Sequence, residues 1–185
     1  MKIADADILL VPGYGETPAD HWMTRWRAKM PSARLIDLPN RFRPVRKAWV
    51  ETLEEAVNGA ERPVVLVGHS LGVNTIVHAA RTLPKGAVRG AFLVAPTDLA
   101  RESPKPAFDV GDFLPLPRGP LPFPSRVIAS RTDPHCTFET AKDWAHAWGA
   151  HFQDAGESGH LNHESGHGPW PEGLMTFAYL MKGLD

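Results

Sequence analysis

The chain has 185 residues, with 20 lysines and arginines against 21 aspartates and glutamates, a formal net charge of −1. That balance leaves no electrostatic footprint for nucleic acid or an anionic membrane surface. Cys136 is the only cysteine, which excludes an internal disulfide and fits a reducing compartment. Asp5 and Asp7 stand where a secretory leader needs its apolar run, and no stretch approaches the ~18 apolar residues of a membrane span. A soluble, cytoplasmic protein forming one domain over residues 1–185 is the expectation.

Taken in chain order, short apolar runs bounded by turn residues alternate with longer segments of helical period, the mark of an α/β protein. Strands are expected at 8–12, 33–37, 64–68, 90–94 and 126–130, with a less distinct one at 150–154. Their unbroken apolar character suits parallel strands covered on both faces. Helices are expected at 20–30, 45–58, 71–83, 138–148 and 172–182. Asp20 can cap the first helix, where Trp22 and Trp26 share one face and read as core. Between Ser103 and Pro124 seven prolines rule out a helix or an inner strand. This segment reads as a stiffened surface connection, with a lid over a pocket as the other reading.

The chemistry centres on Gly68-His69-Ser70-Leu71-Gly72, which follows the strand Val64-Val65-Leu66-Val67 and opens a helical pattern. This is G-x-S-x-G in strand–turn–helix context. A serine on so sharp a turn leaves no room for side chains two residues to either side, hence the glycines. The turn lifts the Ser70 hydroxyl above the sheet edge and sets the Leu71 amide at a helix start, where it can hold an oxyanion. The second oxyanion donor is expected after the first strand, in Pro12-Gly13-Tyr14-Gly15, at the Tyr14 amide. That loop lacks both G-x-G-x-x-G and a P-loop lysine, so nucleotide binding is disfavoured.

A serine nucleophile needs a base, and the base needs a group that fixes its tautomer. Two loops after later strands supply them: Arg131-Thr132-Asp133-Pro134 and Glu157-Ser158-Gly159-His160. Asp133 is chosen as the orienting acid ahead of Asp98, which follows another strand end, and His160 is chosen as the base. His69 lies within the elbow, directed away from the serine, and reads as packing or a hydrogen bond behind the sheet. His163-Glu164-Ser165-Gly166-His167 spells H-E-x-x-H, but a zinc site needs it on a helix, which Gly166, Gly168 and Pro169 oppose. No metal or other cofactor is expected. Trp22, Trp170, Phe113 and Leu114 are candidates for apolar pocket lining, with ordinary core or lid packing the favoured reading of each.

These blocks together resemble the small α/β-hydrolases that include the retinoblastoma-binding serine hydrolase and many bacterial relatives. The matching residues are Val11-Pro12-Gly13-Tyr14, His21-Trp22 with Trp26, the elbow, the Ser130 to Asp133 turn, and Gly159-His160-Leu161-Asn162 with Glu164-Ser165-Gly166. The resemblance covers nearly the whole chain. It implies a minimal α/β-hydrolase fold: a mostly parallel sheet of about six strands, helices on both faces, and no cap domain. It further implies a triad falling on Ser70, Asp133 and His160, and hydrolysis of small esters in cytoplasm. The pocket-protein motif L-x-C-x-E would have to centre on Cys136, where Pro134 and Phe138 replace its Leu and Glu, so that partner is not carried over.

The functional expectation is a carboxylesterase-like serine hydrolase acting on a small acyl substrate, an ester or else an amide or thioester, through an acyl-enzyme. Its rivals are a hydrolase fold used as a binding module with the triad idle, and metal-dependent hydrolysis through His163 and His167.

Overall fold

The apolar runs form strands, and each pairs in parallel with its neighbours, because segments apolar on both faces are stable only where helices cover both. The computed structural model describes residues 1–102 and 108–184. The strands are β1 (Asp7–Val11), β2 (Ala33–Leu35), β3 (Val64–His69), β4 (Val88–Val94), β5 (Ser125–Ala129) and β6 (His151–Asp154). The helices are α1 (Trp22–Lys29), α2 (Arg46–Asn58), α3 (Leu71–Ala79), α4 (Phe138–Ala147) and α5 (Pro171–Lys182). The sheet order is β2-β1-β3-β4-β5-β6, parallel throughout. Val11 pairs with Gly68 and His69 with Val94, so β1, β3 and β4 end level with one another.

Alternate strand residues feed two cores. On one face Leu9, Leu66, Leu93 and Val127 meet Trp49 and Leu53 of α2, Ile76 of α3 and Trp144 of α4. On the other, Ile8, Val65, Phe92 and Ile128 meet Trp22 and Trp26 of α1 and Phe177 of α5. The fold expected from the sequence is the fold observed, and among the described residues no cap domain covers the sheet edge.

Boundaries differ where side chains compete with the pattern. α1 starts at Trp22, and its N-cap is His21, whose Nδ1 accepts from the Met23 amide; Asp20 does not cap it. α3 stops at Ala79, four residues before the expected end, in a turn where the Thr82 hydroxyl bonds the Ala79 carbonyl. β4 begins earlier, at Val88, with a register irregularity opposite Val64 and Val65.

Of the proline-rich segment, 103–107 lie outside the described residues. The rest is a packed connection with one 3₁₀ turn, Gly111–Phe113. Phe113, Leu116 and Phe123 are buried in the first core, and the Trp148 indole donates to the Pro117 carbonyl.

Candidate active site

Ser70 occupies the single residue between β3 and α3, with φ 56° and ψ −128°, a backbone region that is strained for any residue bearing a Cβ. The two flanking glycines are steric necessities. A Cβ on Gly72 would lie 2.0 Å from the Val11 carbonyl oxygen, and one on Gly68 would lie 2.8 Å from Ile76 Cδ1. α3 therefore rests directly on the end of β1. The loop after β1 is equally close: a Cβ on Gly13 would stand 2.7 Å from Ser70 Cβ.

His160 and Asp133, 27 residues apart, meet at this point. His160 Nε2 lies 2.9 Å from Ser70 Oγ, and its Nδ1 lies 2.9 Å from each Asp133 carboxylate oxygen. A carboxylate only accepts, so the proton of the neutral ring sits on Nδ1 and Nε2 is left bare toward the serine. The Asp133 side chain is 2% exposed, and one of its oxygens also accepts from the His135 amide at 2.8 Å.

Two loops after β5 and β6 hold this pair, and hydroxyls lace them together. Ser130 Oγ accepts from the amides of Thr132 and Ser158, and Thr132 Oγ1 accepts from the Gly159 amide. From beneath, the Trp22 indole donates to the Leu161 carbonyl at 2.9 Å.

His69 is buried, with its ring at the edge of the cavity, and its Nε2 is 2.9 Å from the His160 carbonyl oxygen, so it donates there and ties the elbow to the histidine loop. Burial, with the neighbouring imidazoles of His160 and His21 adding to it, holds its pKa well below the ordinary value. His21 beside it is lowered to about 4, first by burial and then by the charges of His163 and Arg41. Both are neutral near pH 7. His69 makes the kind of hydrogen bond expected of it, to the His160 carbonyl rather than to the serine hydroxyl, but its ring reaches the cavity wall instead of lying behind the sheet.

The Leu71 amide is the first of α3 and has no intrahelical carbonyl behind it. The Tyr14 amide sits on the loop that abuts Ser70. Arg41 clamps that loop: its backbone carbonyl accepts from the Gly15 amide, its Nε donates to the Gly13 carbonyl, and its Nη2 donates to Thr17 Oγ1. Burial depresses the guanidinium's pKa.

Ser70, His160, His135, Leu99 and Arg41 line a cavity of about 650 Å³. Its apolar wall is Tyr14 stacked on Phe108 at 5.1 Å and met edge-on by Phe42. The four candidates for lining lie elsewhere, in the core packing that is the favoured reading of each. Trp22 and Trp170 pack with each other in the second core, while Phe113 packs on Trp49 in the first core and Leu114 lies against that same core. Large apolar side chains serve either purpose, and the sequence pattern cannot separate them.

Asp98, the competing acid, caps its own turn by accepting from the Ala100 amide. The preceding residue was missed by sequence reading. Thr97 Oγ1 lies 3.0 Å from Ser70 Oγ, and its peptide is gripped by the Asn74 carboxamide. The H-E-x-x-H stretch lies in turns, not on a helix, so His163 and His167 do not share a helix face.

The likenesses to known proteins bear on the fold and the family. No curated protein matches the chain significantly. A protein described as a YdeN-like hydrolase, from Pectobacterium atrosepticum, is 30% identical, with a TM-score of 0.82 over 96% of this chain and 91% of its own. The ydeN product of B. subtilis, at 21% identity and TM-score 0.71 over 95% and 98%, shares the fold. So does a Bacillus cereus carboxylesterase at 19% and 0.59 over 98% and 90%. A family model described as serine hydrolase matches residues 8–179, from the first strand into the last helix, and this chain belongs to that family.

Proposed function

We propose that the protein cleaves small carboxylic esters by acyl transfer to Ser70. The observation that carries this reading is the unbroken row of 2.9 Å contacts from Ser70 Oγ through His160 to Asp133, open to a cavity with an aromatic wall. The similarity in fold to a carboxylesterase supports it.

Ser70 Oγ attacks the carbonyl carbon while its proton passes to His160 Nε2, and Asp133 steadies the imidazolium. The carbonyl oxygen takes up the negative charge between the Tyr14 and Leu71 amides. His160 returns the proton to the leaving alkoxide, and a water repeats the sequence to free the acid. The substrate is a small acyl compound; the same groups serve thioesters and amides. The chemistry is complete with side chains, two amides and water.

The test is a fluorophosphonate probe together with p-nitrophenyl acetate. Wild type is expected to be labelled and active, and Ser70→Ala to lose labelling and at least about 10⁴-fold in turnover. A folded wild-type chain that no acylating reagent modifies at any pH would favour a binding module. Activity abolished by EDTA would favour a metal at His163 and His167.

A further inference from the structure

We infer that Thr97 is a further catalytic residue, a hydroxyl donor to the nucleophile oxygen, and that Asn74 is the positioning residue that holds it there. The inference rests on the reading of Ser70 as nucleophile.

The direction of the Thr97 bond follows from the rest of the row. With its proton on Nδ1, His160 presents a bare Nε2 at 2.9 Å, so the Ser70 hydroxyl donates its hydrogen to that nitrogen. The Thr97 Oγ1 at 3.0 Å then has to be the donor, and Ser70 Oγ the acceptor. A donor in that position favours each state in which Oγ bears negative charge. One occurs in acylation, as the Oγ–H proton leaves for Nε2 and the Oγ–carbon bond forms. The other occurs in deacylation: water adds to the acyl carbon, its proton goes to Nε2, and the carbon–Oγ bond breaks, returning electrons to Oγ before Nε2 reprotonates it. One hydroxyl thereby serves both half-reactions.

The placement of this hydroxyl is built rather than incidental. At the end of β4 the chain turns through Ala95 with φ 49°, a left-handed conformation costly for alanine, and the turn delivers Thr97 over the elbow. Asn74 Nδ2 donates to the Thr97 carbonyl at 2.9 Å, and its Oδ1 accepts from the Thr97 amide at 3.3 Å. Asn74 is 1% exposed and lies four residues beyond Ser70, on the helix that the serine opens. Nucleophile and donor therefore share one rigid support.

Thr97→Ser and Thr97→Ala differ only by the oxygen, and Thr97→Val keeps the branched volume. The readouts are the rate of fluorophosphonate labelling, kcat and KM for p-nitrophenyl acetate, and thermal midpoint. Thr97→Ala and Thr97→Val should lose on the order of 10- to 100-fold in kcat and labelling rate at unchanged KM, while Thr97→Ser stays within about threefold of wild type. If Val does not fold, the Ser-to-Ala ratio still isolates the hydroxyl. Asn74→Ala should slow the wild type yet have little further effect on kcat in a Thr97→Ala background, since it acts through Thr97. Equal activity of the Ser and Ala variants overturns the inference while leaving Ser70 in place. So does an Asn74→Ala loss that persists undiminished in the double variant. Absence of labelling in wild type removes instead the reading on which it rests.

Discussion

His21 accepts from the Met23 amide through Nδ1, and burial with nearby positive charge lowers its pKa to about 4. In the unfolded chain the same ring titrates near 6.5. Between those values the unfolded state binds a proton that the folded state refuses, so stability present above pH 6.5 is lost as pH falls toward 4. The loss assignable to this one ring is about 3 kcal/mol at most. His69, lowered in the same direction, adds to it. His21→Asn keeps a capping oxygen and removes the titration. Its unfolding free energy, measured by urea at pH 7.5, 6, 5 and 4, should fall less steeply than that of wild type; parallel curves would disprove the assignment. At this scale the sequence spoke clearly only where a residue's role forces a local pattern. Ser70 had flanking glycines and His160 and Asp133 had strand-end loops, but Thr97 and Asn74 are common residues brought together across 23 positions by the fold alone. His21 as a cap was hidden for a related reason: Asp20 has the better capping side chain, and the turn through the Pro18 carbonyl decides between them.

The elements themselves were legible because their patterns come from burial. β3 and β4 are apolar on both faces, α2 buries Trp49, Leu53 and Val57 on one stripe, and α4 has a Thr137 cap whose hydroxyl accepts from the Thr140 amide. Their ends were less legible, since an end is set by whichever polar group finishes the hydrogen bonding. α3 carries on apolar in pattern to Leu83, but the Ala79 carbonyl gathers the Thr82 and Leu83 amides and the Thr82 hydroxyl into one closing turn. The proline-rich connection reads as irregular from its prolines, yet nothing in their spacing tells that Phe113 dives into the core while Phe108 stays at the cavity. Trp22 and Trp26, at helical spacing, read as core and are core; what no spacing gave is the cavity wall, because Phe42 and Phe108 lie in loops without period and their meeting with Tyr14 is a tertiary fact.

Across the whole molecule, the chain leaves β1 toward one edge and returns to lay β3 on its other side. The crevice at that reversal lies between the ends of β1 and β3, the place where open parallel sheets bind ligands. Gly13 and Ser70 are its two lips, and the aromatic wall of Tyr14, Phe42 and Phe108 rises beside them. An acyl chain lying on that wall leaves water, at about 0.8 kcal/mol per methylene. From p-nitrophenyl acetate through butyrate to hexanoate, kcat/KM should therefore rise by roughly fourfold per carbon, and Phe42→Ala should flatten the series. A profile that peaks at acetate and is indifferent to Phe42 would locate the acyl group elsewhere. The tight corner at Ser70 has one more consequence, for the protein's own durability. At φ 56° and ψ −128° its β-carbon is a burden of about 1–3 kcal/mol. Ser70→Gly should thus resist urea better than Ser70→Ala by about 1 kcal/mol, after the greater freedom of unfolded glycine is set against the relief; equal midpoints would show the corner to be relaxed. On the proposed role of Ser70, a screen that selects only for heat resistance would be drawn to this position and would return robust proteins that no longer turn over, because the substitution that relieves the corner also removes the proposed nucleophile.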